Sequence, residues 1–373
     1  MATIILTGGG TAGHVTPHLA LLPYLKKDFD NIYYIGSENG IEKTIAEGAN
    51  IKYFSVPCAK LQRKLTLKNL AIPFKVLKGI KAAEKIIDDI KPDVVFSKGG
   101  FVSVPTVIAA KKKGVPVISH ESDYTVGLAN YITAKYCKKV LTCFPETAKT
   151  LKNGEFVGAP LRKNLYGVKK SNALKRFGFK DDKPVLLVTG GSSGAQIINE
   201  TVRKTLPSIL KTFNVIHICG KGNLSKETFG KGYRQTEYMT DIKYAFCAAD
   251  ICVSRAGSNT LFEILSLNIP CLLIPLPKGV SRGDQVLNAE YFEKSGLVFV
   301  LPQENLTPKS FLAGINEVYR KKDELKKNLR LHPVTDASPK IAEILRSEIK
   351  RPKPTEKQPV LRKSSLDCGV DKL

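Results

Sequence analysis

A chain of 373 residues is long for a single core and points to two domains, and 43% hydrophobic with 25% charged residues excludes a chain that is disordered throughout. Lysine and arginine outnumber aspartate and glutamate 58 to 34, and the resulting +24 calls for an anionic partner: nucleic acid, lipid headgroups or a phosphorylated substrate. Eight cysteines without a CxxC pair speak against a zinc site or a disulfide framework and for reduced thiols in a cytosol.

The chain begins on a strand-like run, residues 3–7, which leaves no place for a signal peptide, and no apolar stretch approaches the ~18 residues of a membrane span. Any membrane contact is therefore expected to be peripheral. Short apolar runs at Ile4–Thr7, Ile32–Ile35, Val94–Ser97, Val117–Ser119 and Val140–Cys143 alternate with helical patterns, the rhythm of βαβ units around a parallel sheet. After a polar stretch at 160–183 the rhythm restarts with Val185–Thr189, Val215–Cys219, Ile251–Ser254 and Cys271–Pro275. Each half has its own glycine turn between strand and helix: Gly8-Gly9-Gly10-Thr11-Ala12-Gly13 and Gly190-Gly191-Ser192-Ser193-Gly194.

The expected fold is α/β, with two Rossmann-like domains facing across a cleft lined by strand C-terminal ends. The expected division is 1–160, 161–346 and a basic tail, 347–373, whose three prolines and many lysines favour disorder. From residue 60 to 91, Leu70, Phe74, Leu77, Ile80, Ala83, Ile87 and Ile90 recur at helical spacing among Lys60, Arg63, Lys64, Lys68, Lys75, Lys78, Lys81 and Lys85. Such a segment either lies on anionic lipid or packs its stripe on the sheet with its lysines in water.

Gly8-x-Gly10-x-x-Gly13 matches the dinucleotide fingerprint, but a nicotinamide enzyme also wants an acid closing the second strand, where Glu38 is an imperfect fit. His14, directly after the loop, either accepts a proton as a neutral imidazole or caps the helix. His120-Glu121-Ser122-Asp123 places four polar side chains at a strand's C-terminal end, suited to a substrate with many hydroxyls, though helix capping accounts for Ser122 and Asp123.

In the second half, Gly191-Ser192-Ser193-Gly194 can present backbone amides and a hydroxyl to a diphosphate, and Arg162 at the domain junction either reaches the same charge or, as is commoner for a lone arginine, lies solvated at the surface. Glu263 follows the turn Ser254-Arg255-Ala256-Gly257 and either suits a ribose diol or is a helix-start acid favoured by the dipole, while Asp284 and Gln285 suit sugar hydroxyls. Asp28-Phe29-Asp30 precedes a strand, at the wrong end for a metal site, and reads as a solvated turn. No metal is expected, and a leaving diphosphate would be stabilised by amides, Arg162 and helix dipoles.

These motifs in this order, Thr7 through His14, His120 through Asn130, Gly158 through Arg162, Gly190 through Ser192, Ser254 through Glu263 and Ser281 through Gln285, resemble the MurG family over roughly residues 3–345. The resemblance implies a GT-B fold and an inverting, metal-independent hexosyltransferase of bacterial peptidoglycan synthesis. It would carry GlcNAc from UDP-GlcNAc to the MurNAc C4 hydroxyl of undecaprenyl-linked lipid I, giving lipid II, at the cytoplasmic face of the cell membrane.

It further implies that Thr11, Ala12, Gly13 and His14 lie at the reacting sugars, with His14 as base or acceptor-positioning group. Arg162 and Ser192 would hold the diphosphate, Met239 would meet uracil through its backbone, Glu263 the ribose, and Asp284 and Gln285 the GlcNAc. Asp123, Asn130 and Thr260 complete the substrate-binding candidates. Two positions depart from the family's usual pattern: Ala12 where glycine is common, and Ser122-Asp123 where Gln-Asn is common. Anionic lipid and other cell-wall synthesis proteins are the expected partners.

Alternatives on the same fold are a transferase with another lipid acceptor and a UDP-sugar epimerase. A basic nucleic-acid-binding protein explains the charge but lacks a binding motif or an aromatic stacking platform.

Overall fold

The structure, a computed structural model, describes residues 1–60, 72–180, 182–191, 194–227 and 230–349. Two all-parallel sheets organise them. The first contains β1 (Thr3–Thr7), β2 (Asn31–Gly36), β3 (Lys52–Ser55), β4 (Val94–Ser97), β5 (Val117–Glu121), β6 (Lys139–Thr142) and β7 (Gly154–Phe156), in the order β3-β2-β1-β4-β5-β6-β7. The second contains β8 (Val185–Thr189), β9 (Asn214–Ile218), β10 (Tyr233–Thr236), β11 (Ile251–Ser254), β12 (Cys271–Leu273) and β13 (Phe299–Val300), in the order β10-β9-β8-β11-β12-β13.

Helices cover both faces, so the inner strands are buried on both sides and read as continuous apolar runs; all five residues of β1, β8 and β9 are buried. The strand order reverses direction between β1 and β4 and again between β8 and β11, and loops from those strands open onto the cleft.

All nine strands expected from the sequence are present, within two residues at either end. The four others, β3, β7, β10 and β13, are the four sheet edges. An edge strand meets solvent and is short, so it leaves no apolar run: Lys52–Ser55 has no fully buried residue and Gly154–Phe156 none.

The chain crosses between the sheets twice. The crossings are tied together by Asp336, whose Oδ1 accepts from Leu161 N and Ser338 N at 2.9 Å each and whose Oδ2 accepts from Tyr24 OH at 3.0 Å. Chain order groups residues 338–346 with the second half. Packing places them in the first, where Ile341, Ala342 and Leu345 enter the core formed by Ile4, Leu6, Leu21 and Phe96.

The helix Ile72–Ile90 divides the two readings of the basic segment. Ile80, Ala83 and Ile87 pack into the core beside the first sheet, whereas Phe74 and Leu77 at its start are 70% and 56% exposed. Leu70, Arg63, Lys64 and Lys68 lie outside the described residues, as does the tail from residue 350.

Ile341→Ala should remove about 2–5 kcal/mol by leaving a cavity in a core that the sequence order assigns to the other half. Native-state hydrogen exchange should show faster exchange in β1 and β4 with β8 and β11 unchanged; the reverse pattern would place the last helix with the second sheet.

Candidate active site

The first wall of the cleft is the loop after β1. Gly10 has φ +86°, and a Cβ there would sit 2.5 Å from the Phe101 ring; a Cβ on Gly100, after β4, would sit 2.2 Å from Gly9 O. Glu42 fastens this loop, accepting from Gly10 N at 3.3 Å and from Ser37 N at 3.1 Å. An amide that a dinucleotide diphosphate would use is thereby given to a carboxylate, while Glu38 is exposed. The loop is not built as a dinucleotide site.

His14 closes the short 3-10 turn Ala12–His14, half-buried, with its Nδ1 2.9 Å from Thr11 Oγ1. When Nδ1–H donates to Thr11, Nε2 keeps its lone pair. Burial, and then the Lys98 ammonium, bring the His14 pKa down to about 4, so the ring is neutral at pH 7.

Lys98 is one residue that sequence reasoning missed. It follows β4 directly, is 2% exposed, and its Nζ donates to Ser122 Oγ at 2.7 Å and meets His120 Nδ1. No carboxylate forms an ion pair with it among the described residues, and burial brings its pKa down to about 8. Its signal was available: Ser97-Lys98-Gly99-Gly100 is a polar residue and two glycines at a strand's C-terminal end.

The cluster at 120–123 is not four side chains offered to a ligand. His120 is fully buried, with Nε2 3.0 Å from Gly158 O, and Glu121 accepts from the backbone N–H groups of Ser122, Asp123 and Gly127 and from Asn130 Nδ2 at 2.8–3.1 Å. These two are internal because the strand extends to Glu121. Asn130, expected at the substrate, is also buried and divides its amide among Ser119, His120 O and Glu121; it shapes the loop from behind.

Asp123 does reach the cleft, but toward the other domain. Its carboxylate accepts from Arg282 Nη2 and Asn288 Nδ2 at 3.1 Å each, and Asn288 Oδ1 accepts from Tyr124 N at 2.8 Å. Burial and the nearby Glu121 raise its pKa. Asn259 adds a second tie, donating to Gly13 O at 2.8 Å. Arg282, Asn288 and Asn259 had no assigned role in the sequence reading.

In the second wall, Glu263 lies in the helix Ser258–Ser266 and is largely buried; Arg162 donates to it from Nε and Nη2 at 2.6 and 2.7 Å. Two residues expected on different parts of a nucleotide thus meet each other. Met239 is partly buried and packs against the second-half core that includes Leu161 and Phe262. Thr260 is half-buried in the first turn of the same helix.

Asp284 and Gln285 begin the helix Asp284–Lys294, and Gln285 Oε1 accepts from Leu276 N at 3.0 Å, so its NH2 end is the one left for a ligand. Arg255 is structural, donating to Ile274 O and Gln303 Oε1. Ser192 lies outside the described residues, and Gly191, beside it, has φ +85°. No cluster of three or more His, Cys, Asp or Glu able to hold a metal occurs among the described residues.

Residues 4–142 match the glycosyltransferase family 28 N-terminal domain and residues 185–342 its C-terminal domain. The chain belongs to glycosyltransferase family 28. Among family relatives, a Clostridium botulinum strain Langeland protein is 49% identical over 354 residues, 94% of this chain and 100% of its own. It is named UDP-N-acetylglucosamine–N-acetylmuramyl-(pentapeptide) pyrophosphoryl-undecaprenol N-acetylglucosamine transferase. A Clostridium tetani protein of the same name is 50% identical over 88% of this chain and 92% of its own.

The crystal structure of Acinetobacter baumannii MurG superposes with a TM-score of 0.72 at 23% identity, covering 93% of this chain and all of that one. A Neisseria meningitidis UDP-GlcNAc 2-epimerase gives 0.62 at 13% identity, covering 93% and 99%. The family 28 chain is a GT-B glycosyltransferase, as its motifs implied.

The charged groups that act on the His14 ring are Lys98, Asp123, Arg282 and Glu42. Lys98→Met removes a cation that opposes the imidazolium, so the His14 pKa should rise from about 4, remaining below 6.5 because burial persists; Asp123→Asn should lower it further. An NMR titration of the imidazole checks both signs, and a fall with Lys98→Met would remove Lys98 from this role.

Proposed function

We propose that this chain transfers N-acetylglucosamine from UDP-N-acetylglucosamine to the C4 hydroxyl of the N-acetylmuramyl unit in undecaprenyl-pyrophosphoryl-N-acetylmuramyl-pentapeptide, turning lipid I into lipid II in peptidoglycan synthesis. The observation that carries this reading is 49% identity to the clostridial transferases along nearly the whole chain. The cleft suits it: a neutral imidazole on one wall faces a helix bearing an acid on the other.

In the proposed reaction the acceptor oxygen attacks C1 of the donor sugar from the face opposite the diphosphate. A C–O bond forms there as the bond from C1 to the diphosphate oxygen breaks, inverting the centre. His14 Nε2 takes the hydroxyl proton, Thr11 holding the ring through Nδ1. UDP leaves toward the amides around Gly191 and the following helix start, without a metal ion. Glu263 receives the ribose hydroxyls, Met239 the uracil, and Asp284 and Gln285 the GlcNAc. Thr11, Ala12, Gly13 and Asp123 face the acceptor.

Labelled GlcNAc should pass from UDP-GlcNAc into a lipid I analogue with excess chelator present. His14→Ala should lower turnover by about 10²–10⁴-fold with UDP affinity unchanged. Absence of donor binding would sink the reading; transfer that stops with chelator would sink the metal-free step; epimerised UDP-sugar as product would move the chain to another activity.

No helix among the described residues is long and apolar enough to cross a membrane. The acceptor is a lipid, and we place the chain peripherally on the cytoplasmic face through Phe74 and Leu77, which stand exposed beside Lys75 and Lys78. Phe74→Ser with Leu77→Ser should weaken sedimentation with anionic vesicles while leaving UDP binding intact, and unchanged sedimentation would relocate the membrane face.

A further inference from the structure

Two carboxylates approach each other where the walls of the cleft meet. Asp123 follows β5 in the first domain, and Asp284 opens the helix Asp284–Lys294 in the second. Burial, then Glu121 and Asp284, raise the Asp123 pKa, so the two acids act on each other across the gap. Like charges brought together by a closing cleft oppose its closure.

Arg282 lies between them. Its Nη2 donates to Asp123 Oδ2 at 3.1 Å and its Nε is 4.0 Å from Asp284 Oδ1; among the described residues it is the one cation in ion-pair reach of either acid. Both domains build its seat. On its own side the turn 277–283 is closed by Ser281 N donating to Pro277 O at 3.2 Å and Gly283 N donating to Ser281 Oγ at 3.0 Å. On the other, a Cβ on Gly127 would sit 3.2 Å from Arg282 Nη1, so the loop after β5 leaves the guanidinium room.

Two further ties across the cleft are amides. Asn288 Nδ2 donates to Asp123 Oδ1 at 3.1 Å, and Asn259 Nδ2 donates to Gly13 O at 2.8 Å. They fix register, but neither brings a charge to offset Asp123 against Asp284. Arg282 meets Asp123 through a single N–H rather than a two-pronged grip, so what it supplies there is charge more than a fixed plane.

We propose that Arg282 is a positioning residue for the transfer step: by neutralising Asp123 and Asp284 together, it lets the acceptor wall and the helix that begins at Asp284 close on one another. For its kinetic consequence the proposal rests on the transfer reading; for closure itself it does not.

The test combines small-angle scattering of the full chain with UDP bound, UDP calorimetry, and GlcNAc transfer to a lipid I analogue. The variants are Arg282→Met, Arg282→Lys, Asp123→Asn and Arg282→Met/Asp123→Asn. Arg282→Met should give a larger radius of gyration and about tenfold lower kcat/KM, with UDP affinity within about twofold. Arg282→Lys should stay compact and within about threefold of the unsubstituted chain, because a single N–H contact does not need the guanidinium fork. With Asp123→Asn an amide faces Asp284, so removing Arg282 from that background should leave the radius unchanged and turnover within about twofold. An arginine needed only for local structure would cost the same in both backgrounds.

Arg282 is 38% exposed on a surface turn; should the methionine variant fail to fold, the lysine and double variants carry the comparison. Equal losses with and without the Asp123 carboxylate, a lysine variant as impaired as the methionine one, or an unchanged radius in Arg282→Met would overturn the proposal. A chain that binds UDP and transfers no GlcNAc overturns the transfer reading instead, and the scattering comparison then decides the role of Arg282 in closure.

Discussion

The cleft takes its shape from carboxylates that the fold withdraws from water and surrounds with directed donors. Glu42 pins the loop after β1, Glu121 gathers three backbone amides and Asn130 after β5, Asp123 takes two donors from the opposite domain, and Asp336 clasps both crossings. A buried carboxylate left without donors would be costly, so each constrains the loop whose amides it collects. Glycine-rich loops, which have little intrinsic preference, are thereby held in one conformation.

Charge is arranged differently on the two walls. The first holds an ammonium, Lys98, among His14, His18 and His120, all three kept neutral by burial. His18 lies edge-on to Tyr34 and Phe96, and neither of its ring nitrogens has a hydrogen-bond partner among the described residues. The second wall carries a paired acid and the backbone of glycine turns. A neutral imidazole beside an ammonium keeps its lone pair available at neutral pH, which an exposed histidine does less completely.

The two-domain α/β fold was legible in the sequence because parallel strands buried on both faces leave unbroken apolar runs, and every inner strand announced itself that way. The edge strands did not, since Lys52–Ser55 and Tyr233–Thr236 mix polar and apolar residues as half-exposed strands do. The site was legible as positions at strand ends and less so as directions. Nothing in His120-Glu121-Ser122-Asp123 tells which side chains turn inward; that depends on β5 running to Glu121 and on Lys98 lying beneath. Contacts between halves, such as Asp123 with Arg282, 159 residues apart, have no local signature at all.

Fold alone does not choose the reaction here. A 2-epimerase and a MurG both superpose on this chain at under 25% identity, so the shared architecture does not decide between transfer and epimerisation. What separates the outcomes is the opposite wall. Transfer asks for a second substrate held by the first domain, and that domain carries a loop with a neutral imidazole, together with an exposed apolar and basic helix start remote from the core. On the proposed function, exposed Phe74 and Leu77 beside lysines meet the membrane that holds the acceptor, a surface that epimerisation of a nucleotide sugar does not require. On that proposed function it is the first domain that carries the distinction between transferring the sugar and rearranging it.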